Sequence, residues 1–156
     1  GNKMKTNTLD DLPKDTPLWL SNFVSVYQRL ETNNLQLLDT LYHREVTFID
    51  PLNHLEGFDE LYQYFEGLYQ NLQSCEFIIE NIIFHGKEAA IYWTMTYQHN
   101  KLNQGKRVTV AGSSYIKGEG DKVILHRDYL DLGAMIYEQL PLFGKLTKWV
   151  KAKVVS

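Results

Sequence analysis

Two short stretches carry residues whose types and spacing suit acid–base chemistry. The first is Phe48-Ile49-Asp50-Pro51, inside the longer run 46–61. It sets a carboxylate among apolar neighbours. Burial disfavours the charged form of a carboxylate and makes it a better proton acceptor, which suits a general base near neutral pH. Asp-Pro is also a common turn dipeptide, so Asp50 has a second reading as a plain turn former. The other stretch is His126-Arg127-Asp128-Tyr129-Leu130. On a strand His126, Asp128 and Leu130 share one face, and Arg127 and Tyr129 the other. On an inner face, His126 and Asp128 would be an imidazole and a carboxylate poised as a pair; on a solvated face they would mean nothing. Leu125 and Tyr129 lie on one side and Leu130 on the other, so alternation leaves the inner face open.

Other chemistries find no support in the residues. There is no phosphate loop or dinucleotide glycine pattern and no Gly-x-Ser-x-Gly elbow. Histidines 43, 54, 85, 99 and 126 are scattered without zinc-like spacing. No metal or cofactor is therefore expected. Ser113-Ser114 falls in mid-strand, where a packed hydroxyl is the default. His54 follows Asp50 and reads first as a solvated loop residue, with a place at a pocket mouth as the sharper alternative. Cys75 reads as a small strand residue rather than a nucleophile.

The elements that must hold these residues follow from periodicity. Residues 1–16 read as a loose polar lead. Thr16-Pro17 starts a helix, with Thr16 as N-cap and Pro17 in the first turn. Trp19, Phe23, Val26, Tyr27 and Leu30 give that helix one apolar face. Thr32-Asn33-Asn34 ends it and caps a shorter helix whose inner face is Leu35, Leu38, Leu41 and Tyr42. A short strand covers 46–49. The third helix, 58–72, has the most regular amphipathic pattern. The period then changes to that of strands, predicted over 76–85, 89–99, 107–117 and 122–132 at hairpin spacing. Gly112 in mid-strand predicts a bend or a close approach.

Helices followed by an antiparallel sheet make an α+β layout. The bent sheet would wrap the third helix and leave an open end lined by aromatics, which is a pocket. Residues 17–132 form one domain. Residues 133–156 form a helical extension of it, with four lysines and no acid over 141–153. That extension reads as packed on the sheet or on a partner, and less readily as a membrane-surface helix.

Composition agrees. The chain has 156 residues, 44% hydrophobic and 22% charged, as one soluble domain would. A net charge of -3 argues against a nucleic-acid partner. A single cysteine precludes an intrachain disulfide and points to a reducing, cytoplasmic setting. No apolar run reaches membrane-span length, and the polar lead lacks the apolar core of a signal peptide.

The order of elements and several short motifs resemble the NTF2-like superfamily, in particular its SnoaL-like polyketide cyclase and ketosteroid isomerase branch. The matching residues are Tyr27, Leu41-Tyr42, Phe48-Ile49-Asp50-Pro51, Gly57 with Phe65, Gly120 with Val123-Ile124, and His126-Arg127-Asp128-Tyr129. The resemblance covers residues 17–132 and implies a cone-shaped fold with a pocket. It implies that Asp50 stands where isomerases of this fold keep a proton-shuttling base, and Tyr27 where they keep an oxyanion-binding tyrosine. In those isomerases a neutral carboxylic acid joins the tyrosine as second oxyanion donor. No carboxylate lies between Val108 and Ile116 here, so half of that oxyanion hole is absent. The resemblance implies that His126 and Asp128 face the pocket. It implies the same for Trp93, Met95 and Tyr97 on one strand, Gly112 and Ser114 on the next, and Leu130 on the last. Trp19 and Phe65 would line it from the helices.

Two functions are expected from this. One is an enzyme acting on a small hydrophobic molecule, as isomerase, cyclase or hydrolase, with Asp50 as base, Tyr27 on the oxyanion, and His126 oriented by Asp128. The other is a non-catalytic ligand-binding or protein-interaction module of the same fold. Homodimers, common in the family, would form through the outer sheet face with Thr94, Thr96, Gln98 and Tyr129.

Overall fold

The structure, a computed structural model, describes residues 12–131. The expected C-terminal helix over 133–156 and the first eleven residues of the polar lead lie outside the described residues.

Helix α1 spans Leu18–Arg29. Its apolar stripe, Trp19, Phe23, Val26 and Tyr27, is buried throughout. Thr16 does not cap it, contrary to expectation. Its hydroxyl donates back to the Pro13 carbonyl at 2.6 Å, and extended Pro17 holds the cap position without a side-chain bond.

The second helix is divided. A 3-10 segment, Thr32–Leu37, leads into α2, Leu38–Leu41. The break comes at Asn34, whose backbone leaves helical geometry at φ −132° and ψ 27°. Its side chain accepts from the Glu31 amide and donates to the Arg29 carbonyl, both at 2.6 Å. An Asn that bonds local backbone this way competes with the helix itself.

Six strands follow. They are β1 (Tyr42–Ile49), β2 (His54–Glu56), β3 (Leu72–His85), β4 (Glu88–His99), β5 (Val108–Glu119) and β6 (Lys122–Leu130), with α3 (Phe58–Tyr69) between β2 and β3. The sheet order is β2-β1-β6-β5-β4-β3, so the sheet does not close on itself. The four long strands read from the sequence are β3 to β6, and they pair antiparallel as expected; the short strand read over 46–49 is the end of β1, which begins earlier, at Tyr42. The difference lies at the other edge. There β1 joins β6 in parallel, and β2 folds back on β1. Three residues are too few to show a period, which is why His54 read as loop rather than strand. Helix α3 ends three residues earlier than predicted, because Leu72 instead pairs with His99 in the sheet.

Gly57 makes the turn into α3. Its φ of +90° lies in the left-handed region, and its amide bonds the Val46 carbonyl at 2.7 Å. A side chain is strained there.

The helices pack on the inner face of the sheet, and the register decides which residues they meet. Phe48, His126, Ile116 and Ala89 form one cross-strand row. Asp128, Ser114 and Ile91 form the next, and Leu130, Gly112 and Trp93 the third. Phe48, Ile116, Ala89 and Ile91 are all buried, so His126, Asp128 and Leu130 of β6 point inward, while near its start, beside the register shift at Lys117/Gly118, the buried residue is Val123. Tyr129 points out, half-exposed, with the Arg127 guanidinium 5.1 Å from its ring centre.

Candidate functional site

The helices do not fill the sheet's inner face. A cavity of about 560 Å³ remains, within the range of small-molecule sites. Its wall is mainly apolar, with Phe23, Phe48, Phe77, Met95 and Leu130 among its residues. Asp50, Tyr27, His126 and Asp128 all line it. The three groups that the sequence singled out therefore face one space, although they come from a loop, a helix and the last strand.

At the buried end of the cavity lies a continuous chain of hydrogen bonds. The Trp93 indole N–H donates to Ser114 Oγ at 2.9 Å, and the Ser114 hydroxyl donates to Asp128 Oδ1 at 2.5 Å. The same carboxylate oxygen lies 2.7 Å from His126 Nε2. His126 Nδ1 lies 2.6 Å from the Tyr42 hydroxyl, which lies 2.6 Å from that of Tyr27. His126 is 1% exposed. Burying an imidazole is tolerable here because both ring nitrogens have partners. Rings pack it on several sides, with Phe48 at 4.8 Å and Phe23 at 5.4 Å between centroids. Burial is the main reason that the Tyr27 and Tyr42 hydroxyls are held well above the usual phenol range. Both therefore remain protonated at neutral pH.

Asp50 is differently placed. It is half-buried, and both of its oxygens are occupied. Oδ1 accepts from the amides of Leu52 and Asn53 at 2.8 and 2.7 Å, and from the Asn53 side chain at 3.0 Å. Oδ2 accepts from the Tyr64 hydroxyl at 2.5 Å. The turn reading and the cavity reading both hold: the carboxylate closes an Asx-type turn and also faces the cavity. Burial, and next the Asp50 charge, push the Tyr64 hydroxyl far above the usual phenol range. Tyr64 therefore stays a donor.

Of the expected ligand-lining residues, Phe65, Trp93, Met95, Tyr97, Ser114 and Leu130 are on the cavity wall. Trp19 and Gly112 are not, and both expectations are corrected. The Trp19 indole lies on Gly118, where an added Cβ would come within 2.3 Å of the ring. Gly112 is covered by the Trp93 ring, 2.4 Å from where its own Cβ would be. The close approach predicted at Gly112 is thus real, but its occupant is an indole of the protein. Without a side chain at 112, the Trp93 ring lies flat over β5 and its N–H reaches Ser114.

Tyr42 and Tyr64 had no signal as site residues in the sequence. Tyr42 read as helix core, and its partner His126 is 84 residues away. Cys75 lines the cavity, and burial pushes its thiol up to about 11. Such a thiol is almost wholly protonated at neutral pH and a poor nucleophile. His54 is exposed and bonds Glu56 at 2.7 Å, on the solvent side of β2. Among the described residues, no group of three or more metal-ligating side chains comes together, and no Lys or Arg lines the cavity.

Comparison with known proteins agrees with this architecture. The family model described as the SnoaL-like domain matches residues 23–126. No curated protein matches the chain. Among solved structures, a putative SnoaL-like polyketide cyclase from Jannaschia sp. CCS1 is 14% identical, with a TM-score of 0.69 over 81% of this chain and 94% of that one. A second such putative cyclase, from Shewanella putrefaciens CN-32, is 19% identical, with a TM-score of 0.66 over 78% of this chain and 95% of that one. A hypothetical protein with a ketosteroid isomerase-like fold from Catenulispora acidiphila DSM 44928, solved in complex with trimethylamine, is 14% identical, with a TM-score of 0.66 over 78% of this chain and 92% of that one. Identities this low speak for the fold alone.

Proposed function

Since the chain belongs to the SnoaL-like domain family, we propose that it binds a small, largely apolar molecule in the cavity and moves a proton on it. The observation that carries this reading is the hydrogen-bonded pair of buried His126 and partly buried Asp128, at the wall of an apolar cavity and joined on both sides to further hydroxyls. Isomerase, cyclase and hydrolase chemistry can each use a positioned proton donor or acceptor beside an apolar binding space.

Asp128 is assigned the transfer itself. His126 shares the proton, and Ser114 and Tyr42 hold the pair in place. Asp50 keeps a part as the second carboxylate facing the ligand. Its oxygens already serve its own loop and Tyr64, so its assigned work is to fix that loop and the Tyr64 ring.

The test is turnover of a panel of small enolisable ketones, epoxides and polyphenols by wild type, Asp128→Asn and Asp50→Asn. Loss of one general acid–base group typically costs about 100-fold or more in rate. Asp128→Asn should lose that much while still binding the ligand, and Asp50→Asn should lose less. The reverse ranking would return the base role to Asp50.

One observation favours a second reading, a binding module without catalysis. Among the described residues every buried side-chain N and O atom has a hydrogen-bond partner, as a purely structural polar cluster would. Ligand binding with no turnover of any panel member, in wild type and variants alike, would select that reading.

The proposal extends to assembly and setting. Tyr92 and Tyr129 flank Ser113 on the outer sheet face, 44% and 49% exposed. With Thr94 and Thr96 on the same strand, they make the surface through which two copies would pair. The lone, protonated thiol of Cys75 fits a reducing cytoplasm. No helix among the described residues is long and apolar enough to cross a membrane.

A further inference from the structure

Resting on the proposed binding cavity, the directions of the hydrogen bonds at its buried end specify the polarity of the ligand. The indole N–H of Trp93 can only donate. Ser114 Oγ accepts it, so the Ser114 proton goes to Asp128 Oδ1. With Asp128 a carboxylate, the proton in the 2.7 Å contact to His126 sits on Nε2. In a neutral imidazole Nδ1 is then an acceptor, and Tyr42 donates to it. The Tyr42 oxygen in turn accepts from Tyr27. Every polar proton in this relay is directed toward the carboxylate. What remains for the cavity is acceptor capacity: the lone pairs of the Tyr27 oxygen, and Asp128 Oδ2, which no donor among the described residues reaches.

We infer that the buried end of the cavity recognises a hydrogen-bond donor: an apolar molecule carrying an acidic O–H or N–H, such as a phenol, enol or enolisable hydroxyketone. A bound ketone or oxyanion would meet only lone pairs there.

The same geometry gives Asp128 Oδ2 a place to accept the ligand proton. When the ligand X–H bond breaks, its electron pair stays on the ligand and its proton goes to Asp128 Oδ2. The Asp128–His126 pair then holds one proton more. The Oδ2–H then donates to the new oxyanion, while His126, Tyr42 and Tyr27 keep the protons they had. The groups facing His126 are Asp128 on its own strand, Tyr42 from β1, Tyr27 from α1 and the uncharged rings of Phe23 and Phe48. None is a cation that would oppose the added proton. Tyr42 is thus a positioning residue: by donating to Nδ1 it keeps the imidazole proton on Nε2, directed at Asp128.

The experiment uses 2-naphthol, which carries a donor, and 2-methoxynaphthalene, which has only an acceptor, titrated by calorimetry into the full chain. Wild type should bind the naphthol about tenfold more tightly, the effect of one good hydrogen bond. In Asp128→Asn the amide oxygen stays toward Ser114 and His126, so its NH2 replaces Oδ2 and an acceptor becomes a donor. That variant should lose or reverse the preference. Tyr27→Phe, which removes one of the two acceptors and leaves the ring, should reduce it, and reads the same property if the Asn variant fails to fold. Equal binding of both probes by wild type would overturn the donor inference and leave the binding cavity standing. Binding of neither probe would overturn both.

Discussion

His126 shows how much of a single residue's character comes from its neighbours. The same imidazole on a solvated strand face would be an ordinary titrating group. Here it is buried between a tyrosine and a carboxylate, and each ring nitrogen depends on one partner. Removing one partner leaves a buried polar atom with neither protein nor water to satisfy it, at a cost of about 1–3 kcal/mol. Tyr42→Phe should therefore lower the free energy of unfolding by about that much, read from urea denaturation. If the chain loses nothing, Nδ1 has another donor and the relay through Tyr42 is not formed. Asp50 makes the complementary point. Its apolar sequence neighbours suggested an isolated carboxylate, yet it is the most densely bonded acid among the described residues, because Asn53 and Tyr64 fold over it.

Among the elements, β5 acts on the cavity wall through Trp93, by having little side chain in its middle. Gly112 and Ser114 leave room for the Trp93 ring to cross from β4 and bond the serine. A methyl group at 112 would fall 2.4 Å from that ring. Such overpacking typically costs about 1–3 kcal/mol. Gly112→Ala should destabilise by that amount and break the Trp93–Ser114 bond, which a changed tryptophan emission spectrum would report. An unchanged spectrum and unchanged stability would mean that the ring has room to move. Strand β1 contributes differently. By pairing in parallel with β6 it sets Phe48 beside His126 and leads into the Asp50 loop. The short early strand thereby joins two stretches that lie some 75 residues apart in the chain.

At the level of the whole molecule, the sheet has two unlike faces. The inner one holds the helices and the cavity. The outer one presents Tyr92 and Tyr129, with Ile83 at 58% exposure, the surface proposed above for pairing. Wild type at micromolar concentration should sediment as a dimer, and Tyr92→Glu with Tyr129→Glu should sediment as a folded monomer. A wild-type monomer would remove the pairing from the proposal. The cavity lies on the opposite face, so the monomeric variant should retain the naphthol preference.

Much of this was legible from residue order. Periods of 3.6 and 2 located α1, α3 and the four long strands, because amphipathic patterns are local and each element must hide one face. The family resemblance placed His126, Asp128 and the Trp93 strand toward the interior. What periodicity could not decide was the orientation of β6, since apolar residues stand on both of its faces and only pairing with β5 and β1 selects one. Nor could it see β2, the kink at Asn34, or the role of Tyr42. The first is too short to show a period, the second rests on local bonds from the Asn34 side chain to Glu31 and Arg29, and the third is a hydrogen bond to a residue 84 positions away, which leaves no mark on the spacing around either partner.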